Sequence, residues 1–416
     1  MVGVVYVKPE KHNTYCDYPF KQISLKHWNK NKLLEYTPCC MMMDYGNNMM
    51  QWKGASDLDP KEAFESVRFD RLRNDLKSGV KNESCKTCWN SEREGITSPR
   101  LYSMEHDDES TFELRQLDLS ISNKCNLMCR MCNYGSSHKF LKELKFFKKN
   151  NLLDRVKKAT SDYYVDESYL PNSLSSKQFD WLIDNTEKIK ILKISGGEPF
   201  YDDNVIKLLS KYVSDNTAKN TILQFNTNGT LFNDKTLNLH KQFKSIDHYI
   251  SVDGVDQMYD YIRYPYTFKK FNNSILNYVN LPNILALRFA CVISSLNILN
   301  MDEWLFHMLS LSGKHKYYFS FQKVRPFDRG ISINLLPIKL LEESKDRLLN
   351  NDYSNFYSHR FFDDCKSLIE IIDGAIKHNK CNRKKMLEEI TLFDKSRKQN
   401  YENYLDVKLV DWLKNE

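Results

Sequence analysis

The sequence has no stretch suited to crossing a membrane. Its most apolar run, NILALRFACVI at 283–293, is short and carries Arg288. The opening MVGVVYVKPE lacks an apolar core followed by a cleavage site, so no secretion signal is expected. The two absences together predict a cytoplasmic protein with no membrane partner. There is no arginine-rich block and no basic tail. Lysine and arginine are spread along the chain, so the net charge of +7 does not indicate nucleic acid, although it permits a negatively charged substrate. No P-loop, GxGxxG or HxxxH-type pair occurs, and no internal repeat.

What is present is a large soluble chain with cysteines in groups. The 416 residues are 41% hydrophobic and 28% charged, enough for a sizeable core and more than one domain. Five of the 11 cysteines fall in the first hundred residues: Cys16, Cys39, Cys40, Cys85 and Cys88. Three more, Cys125, Cys129 and Cys132, sit together, while Cys291, Cys365 and Cys381 are scattered; none of these is read as a ligand, and Cys291, within a strand, is read as a buried core thiol. In a reducing compartment such grouping points to metal rather than to disulfides.

The pattern of apolar residues divides the chain. Residues 20–28 and 34–40 read as a hairpin joined by NKNK. Asp59-Pro60 starts a helical pattern that is irregular near Ser66 and stops at Gly79. From 114 onward, strands and helices alternate. LRQLDLSIS, KILKISG, TILQFNTNG, HYISVDG, LALRFACVIS and YYFSFQKVR give six strands with helices between them. Val205, Leu208, Leu209, Tyr212 and Val213 mark one of those helices at clean i, i+3, i+4 spacing. Such alternation implies a parallel sheet, closed or partly closed into a barrel. The segment 152–177 reads as an irregular insertion, and residues 340–416 as charged and helical.

Cys125-Asn-Leu-Met-Cys129-Arg-Met-Cys132 directly follows the first barrel strand. Three cysteines on one loop suit three corners of an iron–sulfur cubane and leave its fourth iron open to a cofactor or substrate. A zinc site or three structural thiols would satisfy the same spacing. Further motifs stand at strand ends: Ser195-Gly196-Gly197-Glu198-Pro199, Asn226-Thr227-Asn228-Gly229, Ser251-Val252-Asp253-Gly254, Arg263 within YDYIRYP, and Ser294 with Asn297. Carboxyl ends of strands are where β/α barrels place active sites.

The cysteine loop and the motifs in this order resemble the radical S-adenosylmethionine (SAM) superfamily. The resemblance implies an α/β fold, a partial (β/α)6 TIM-type barrel. It also implies a [4Fe-4S] cluster on Cys125, Cys129 and Cys132, with SAM chelated to its open iron. SAM would be held by Gly196, Gly197, Glu198, Asn226, Asn228, Ser251, Asp253, Arg263, Ser294 and Asn297. An electron from an external donor such as flavodoxin or ferredoxin would cleave SAM to a 5′-deoxyadenosyl radical, which abstracts hydrogen from substrate. Met131 stands where the family usually has an aromatic residue, and a thioether can fill that packing role.

Cys16, Cys39 or Cys40, Cys85 and Cys88 supply four thiolates, which would close a zinc site or a second cubane. YPFKQISL, PCC and SCKTCWNSEREGITSPR resemble the twitch or SPASM-type auxiliary-cluster modules of radical SAM enzymes, so the resemblance implies an auxiliary [4Fe-4S] cluster. The glycine usual before PCC is absent. Cys39 is the expected ligand. It matches the motif position, and Cys40 shares strand parity with the apolar Leu34 and Tyr36. The expected domains are an auxiliary-cluster unit at 1–105, the barrel at 106–335 and a helical extension at 336–416. The substrate classes implied are a peptide or protein side chain or a small molecule, with a nucleotide or nucleic acid as the alternative. No module for binding a peptide leader is discernible. A non-catalytic iron–sulfur or zinc protein, for electron transfer or binding, is the rival of another class. Intact GGEP and SVDG motifs argue against it, because electron transfer needs no SAM site.

Overall fold

A computed structural model of the chain describes residues 13–26, 35–42, 58–93, 98–105, 112–133, 135–161, 174–313, 315–325, 328–351 and 359–415. Its spine is one nine-stranded sheet of β1 (Gln22–Lys26), β2 (Glu35–Thr37), β3 (Gln116–Ser120), β4 (Ile191–Ser195), β5 (Ile222–Thr227), β6 (Ser245–Ile246), β7 (Tyr249–Ser251), β8 (Leu287–Ile293) and β9 (Tyr317–Lys323). The order is β2-β1-β3-β4-β5-β7-β8-β9, with β6 beside the lower part of β5. From β1 and β3 through β9 every pairing is parallel. All six strands expected from the alternating pattern are present; the two-residue β6 is the one the pattern missed, because it is too short to show a period.

The N-terminal hairpin forms as expected, with β1 and β2 antiparallel and Leu25 opposite Tyr36. Its connecting residues, NKNK included, lie outside the described residues, as does Leu34. The hairpin also does something the sequence did not announce. β1 runs parallel to β3, with Ile23 opposite Leu117 and Leu25 opposite Leu119, so it extends the parallel sheet. The hydrophobic faces explain this: Ile23, Leu25, Leu117 and Leu119 are all buried in one continuous core.

Elsewhere local rules hold. Asp59 and Glu62 make a reciprocal capping box before Pro60–Phe64, and Ser66 caps a separate helix, Val67–Lys77, which accounts for the irregularity. Gly79 follows with φ +85°, the left-handed geometry that ends helices. Helix Asp203–Ser214 buries Val205, Leu208, Leu209 and Tyr212 against the sheet. The stretch expected as an irregular insertion needs a correction. Leu153–Thr160 is helical, and Val156 and Ala159 are buried against helix Phe140–Lys149 and the C-terminal Leu392 and Phe393. Amphipathic spacing there was short and masked by lysines. Residues 162–173 lie outside the described residues. The C-terminal part is helical as expected, with helices Ile338–Asn350, His359–Lys377, Arg383–Arg397 and Val407–Lys414. Among the described residues, no helix is long and apolar enough to cross a membrane.

Candidate active site

The loop after β3 carries Cys125, Cys129 and Cys132. Cys125 and Cys129 are buried and Cys132 half-buried. The backbone of the loop is pinned at several points. Met128 N–H donates to the Tyr264 carbonyl at 2.7 Å, Arg130 N–H to Ile262 at 2.9 Å, and Ser137 Oγ to Leu127 at 2.6 Å. Cys125 N–H donates to His138 Nδ1 at 3.1 Å, which leaves the imidazole proton on Nε2.

Donors also point at sulfur. Leu127 N–H lies 3.4 Å from Cys125 Sγ, Asn228 Nδ2 3.9 Å from the same atom, and Arg263 Nη1 3.7 Å from Cys129 Sγ. Burial pushes the Cys125 thiol up to about 12. Cys129 is drawn down to about 7, first by a hydrogen bond from the Cys132 thiol and then by Arg263 and Arg397 against the effect of burial. Cys132, the donor, is held well above the usual thiol range. Three thiols on one loop with N–H donors aimed at sulfur is a donor set that fits a cluster, whose properties depend on such hydrogen bonds.

The GGEP turn after β4 is built against this loop. A Cβ on Gly197 would stand 2.1 Å from the Lys124 carbonyl oxygen, and one on Gly196, whose φ is +134°, would stand 2.4 Å from Ser122 O. The absent side chains admit Gly197 N–H to Ser122 O at 2.9 Å and Glu198 N–H to Lys124 O at 2.7 Å. Glu198 is fully buried. Its carboxylate accepts from Asn228 N–H at 2.7 Å, Thr227 Oγ1 at 2.8 Å and Phe200 N–H at 3.3 Å, yet burial pushes it up to about 7. The third and second strand ends are thereby tied together.

Asn228 bridges onward to Asn126 at 2.8 Å, and Asn126 to Thr230 at 2.8 Å. Arg263 pairs with Asp253 at 2.7 Å, and both are buried. Asp253 also accepts from Val292 N–H at 2.8 Å. Asn297 donates to the carbonyls of Asp253 and Val292, both at 2.9 Å, and accepts from Ser294 N–H at 2.8 Å. Ser294 and Asn297 are therefore occupied in a buried turn. Asn226 is exposed and Ser251 half-buried at their strand ends. All these positions lie around the carboxyl ends of β3, β4, β5, β7 and β8.

Residues 119–281 match the radical SAM superfamily. This segment, less than half of the chain, resembles a radical SAM domain. It begins inside β3 and ends after helix Phe268–Tyr278, so the match covers the cysteine loop and the GGEP, NTNG and SVDG strand ends. Such a domain implies a [4Fe-4S] cluster and SAM, and superfamily members are enzymes. No curated protein matches the chain. Among solved structures, Streptococcus suis SuiB bound to S-adenosylmethionine is similar, at 12% identity over 70% of this chain and 60% of that one, with a TM-score of 0.33. SuiB bound to its precursor peptide SuiA gives 13% identity, 70% and 58% coverage, and a TM-score of 0.34. The present chain thus spans about 60% of the length of SuiB.

Outside the matched segment, the N-terminal cysteines sit on four elements. Cys16 precedes helix Tyr18–Lys21, Cys39 follows β2, Cys85 ends a turn at Glu83–Cys85, and Cys88 lies in helix Lys86–Arg93. Cys16 and Cys85 pack around Leu72, Leu76 and Trp89. The charge of Cys39 is felt at Cys85, and those of Cys16 and Cys88 at Cys39. Burial pushes Cys16 up to about 12 and raises Cys39, Cys85 and Cys88 as well. Arg100 fastens the group: it binds Glu92 through two nitrogens, at 2.8 and 2.6 Å, and the Tyr15 carbonyl at 2.7 Å. Among the described residues no three His, Cys, Asp or Glu side chains converge on the position of a single metal ion.

Cys40, expected as a packed thiol, is half-buried and within electrostatic reach of both Cys39 and Lys193. Lys193 lies on the sheet face opposite the apolar one, and its ammonium is 3.3 Å from Asp118. The same face carries Gln224, Tyr249, Arg288 and Tyr318 at adjoining register positions. Arg288 pairs with Asp247 and stacks 4.3 Å over Tyr318.

Sequence reasoning missed one set of residues altogether. Arg130, Arg329, Glu389 and Asp394 are buried charges around the cysteine loop. In the sequence they look like any solvated charges, and no local signal separates the two.

Proposed function

We propose that the protein is a radical SAM enzyme that binds its cluster through Cys125, Cys129 and Cys132 and abstracts hydrogen from a substrate held against the polar face of the sheet. The carrying observation is the placement of three thiols on one loop, with Leu127 N–H and Asn228 aimed at the Cys125 sulfur and Arg263 at that of Cys129, inside the segment that matches the superfamily. The bound cluster supplies the electron that cleaves SAM reductively. The chain's own groups do the rest. Gly196 and Gly197 bring the strand edge close to the loop, and Asn226 and Ser251 offer polar groups at the strand ends for the SAM amino acid and ribose. Arg263, Asp253, Ser294 and Asn297 hold those ends in register. Glu198 fixes the backbone of Asn228.

We also assign Cys16, Cys39, Cys85 and Cys88 to an auxiliary [4Fe-4S] cluster. The reading is supported by the shared packing of Cys16 and Cys85 and by the electrostatic reach among the four thiols. A peptide or protein side chain, or a small molecule, would then lie between the two sites.

The deciding experiment is anaerobic reconstitution followed by reduction in the presence of SAM. Methionine and 5′-deoxyadenosine should form, and Cys125→Ala/Cys129→Ala/Cys132→Ala should abolish both. Iron bound by that triple variant in wild-type amount, or no SAM cleavage by an iron-loaded wild-type chain, would refute the reading.

A further inference from the structure

We propose that helix Arg383–Arg397 is a positioning element for the cluster loop, acting through two buried ion pairs, Glu389 with Arg329 and Asp394 with Arg130. The inference rests on the reading of Cys125, Cys129 and Cys132 as cluster ligands.

Two residues separate Cys129 from Cys132: the Arg130 side chain pairs with the helix directly, and the carbonyls of Arg130 and Met131 are bound by Arg329, which pairs with the helix in turn. The Arg329 side chain is wholly buried. Its Nε donates to Glu389 Oε1 at 2.8 Å. Its Nη1 donates to the Met131 carbonyl at 3.3 Å, and its Nη2 to the Arg130 carbonyl. The two carbonyls between the cysteines therefore share one guanidinium, and Glu389 orients that guanidinium.

The Arg130 side chain is held as firmly. Its Nε donates to the Tyr261 carbonyl at 3.2 Å, and its Nη2 to Asp394 and to Gln399 Oε1, the latter at 3.1 Å. It lies 3.6 Å over the Tyr261 ring. Asp394 accepts in addition from Tyr261 Oη and Tyr401 N–H, both at 2.7 Å. A third buried pair, Arg397 Nε to Glu143 at 2.8 Å, docks the same helix onto the one that follows the loop. Gly330 completes the fit, since a Cβ there would stand 2.7 Å from Glu389 Cβ.

Packing alone does not explain these charges. Buried ion pairs are weak sources of stability, and apolar residues of the same volume often serve better. What apolar residues cannot do is donate to two loop carbonyls and fix their direction. Partners one step beyond a metal's ligands orient those ligands, and their loss weakens binding. Arg329 and Asp394 stand one step beyond.

The test uses the full chain with two variants, Asp394→Asn and the double Arg329→Met/Glu389→Met. The double variant keeps volume and leaves no unpaired charge. Three quantities are measured: amide hydrogen exchange of 126–132 in the metal-free chain, the rate of iron loss from the reconstituted protein to a chelator, and the midpoint potential of the cluster. The expected result is faster exchange confined to 126–132, iron loss accelerated on the order of tenfold, and a shifted potential, with exchange elsewhere unchanged. Should Asp394→Asn fail to fold, the double variant decides. Folded variants with wild-type exchange at 126–132 and wild-type iron loss would overturn the proposal. A wild-type chain that takes up no iron at Cys125, Cys129 and Cys132 would instead overturn the reading beneath it.

Discussion

Arg263 reaches the Cys129 sulfur at 3.7 Å through Nη1 while Nη2 holds Asp253 at 2.7 Å. Burial works against the charge on Arg263, but Asp253 and the nearby sulfur outweigh it and keep the guanidinium firmly protonated. One residue thus couples the end of β7 to the cysteine loop.

Arg263→Ala should therefore destabilise the metal-free protein. It leaves the buried Asp253 without its counter-charge, a loss on the order of 3 kcal/mol. Arg263→Lys should recover part of it, because the charge returns without the second hydrogen bond. Urea unfolding of the metal-free chains measures this. Equal midpoints for wild type and Arg263→Ala would show that Asp253 does not depend on Arg263.

Gly197→Ala should be worse than an ordinary surface substitution. The new methyl would meet a backbone carbonyl, which cannot swing aside as a side chain can. The loop Ser122–Lys124 must shift, and Cys125 follows it. The expected outcome is a chain that folds at lower temperature and retains about half its iron, the remainder lying at the N-terminal site. Thermal unfolding and iron analysis read the two effects separately. Wild-type values of both would show that the loop tolerates the methyl.

The N-terminal site should discriminate between adjacent cysteines. Cys39 matches the motif position and feels the charges of Cys16 and Cys88 besides that of its neighbour Cys40. In a background of Cys125→Ala/Cys129→Ala/Cys132→Ala, about four irons should remain. Adding Cys39→Ala should remove them, and adding Cys40→Ala should not. The reverse pattern would assign Cys40 as the ligand. Zinc in place of iron would keep the ligand set and change the cofactor.

A buried histidine pair should govern acid stability. His248 Nδ1 accepts from Phe225 N–H at 3.1 Å, so His248 Nε2 carries the proton and donates it to His240 Nε2 at 2.8 Å. His240 Nδ1 then donates to the Thr236 carbonyl. Every ring nitrogen is satisfied in the neutral form. Burial lowers His240 to about 4 and His248 well below its ordinary value. The unfolded chain therefore binds more protons below pH ~6.5, and stability present above that pH is lost as pH falls toward 4. His240 alone would account for on the order of 3 kcal/mol at pH 4. Glu198 acts in the opposite sense, since its raised carboxyl loses stability as pH rises from ~4.5 through about 7. The difference between wild type and His240→Leu/His248→Phe isolates the histidines. Parallel stability curves from pH 7 to 4 would mean that the pair does not titrate in this range.

The parts of this protein legible in its sequence are those governed by near neighbours along the chain. The three-residue and two-residue gaps of Cys125, Cys129 and Cys132 place three thiols on one loop whatever surrounds them. Glycine before Glu198 signals a close approach, and the alternation of apolar periods gives six strands in order. The hairpin, and the Asp59 cap of helix Pro60–Phe64, follow from turn and capping chemistry within a few residues.

Tertiary structure decided what lies far apart. The sequence cannot say that Gly197 approaches Lys124 rather than a ligand, because a glycine records the absence of a side chain and not the identity of its neighbour. Nor can it show that β1 joins β3, since both are short apolar strands and pairing between them costs loop closure that local pattern does not register. Glu389 and Asp394 are the clearest case. A carboxylate on a charged helix reads as solvated until the fold buries it, and only packing brought these two against Arg329 and Arg130. Burial turns an ordinary surface charge into a fixed donor–acceptor contact, and burial is a property of the assembled chain.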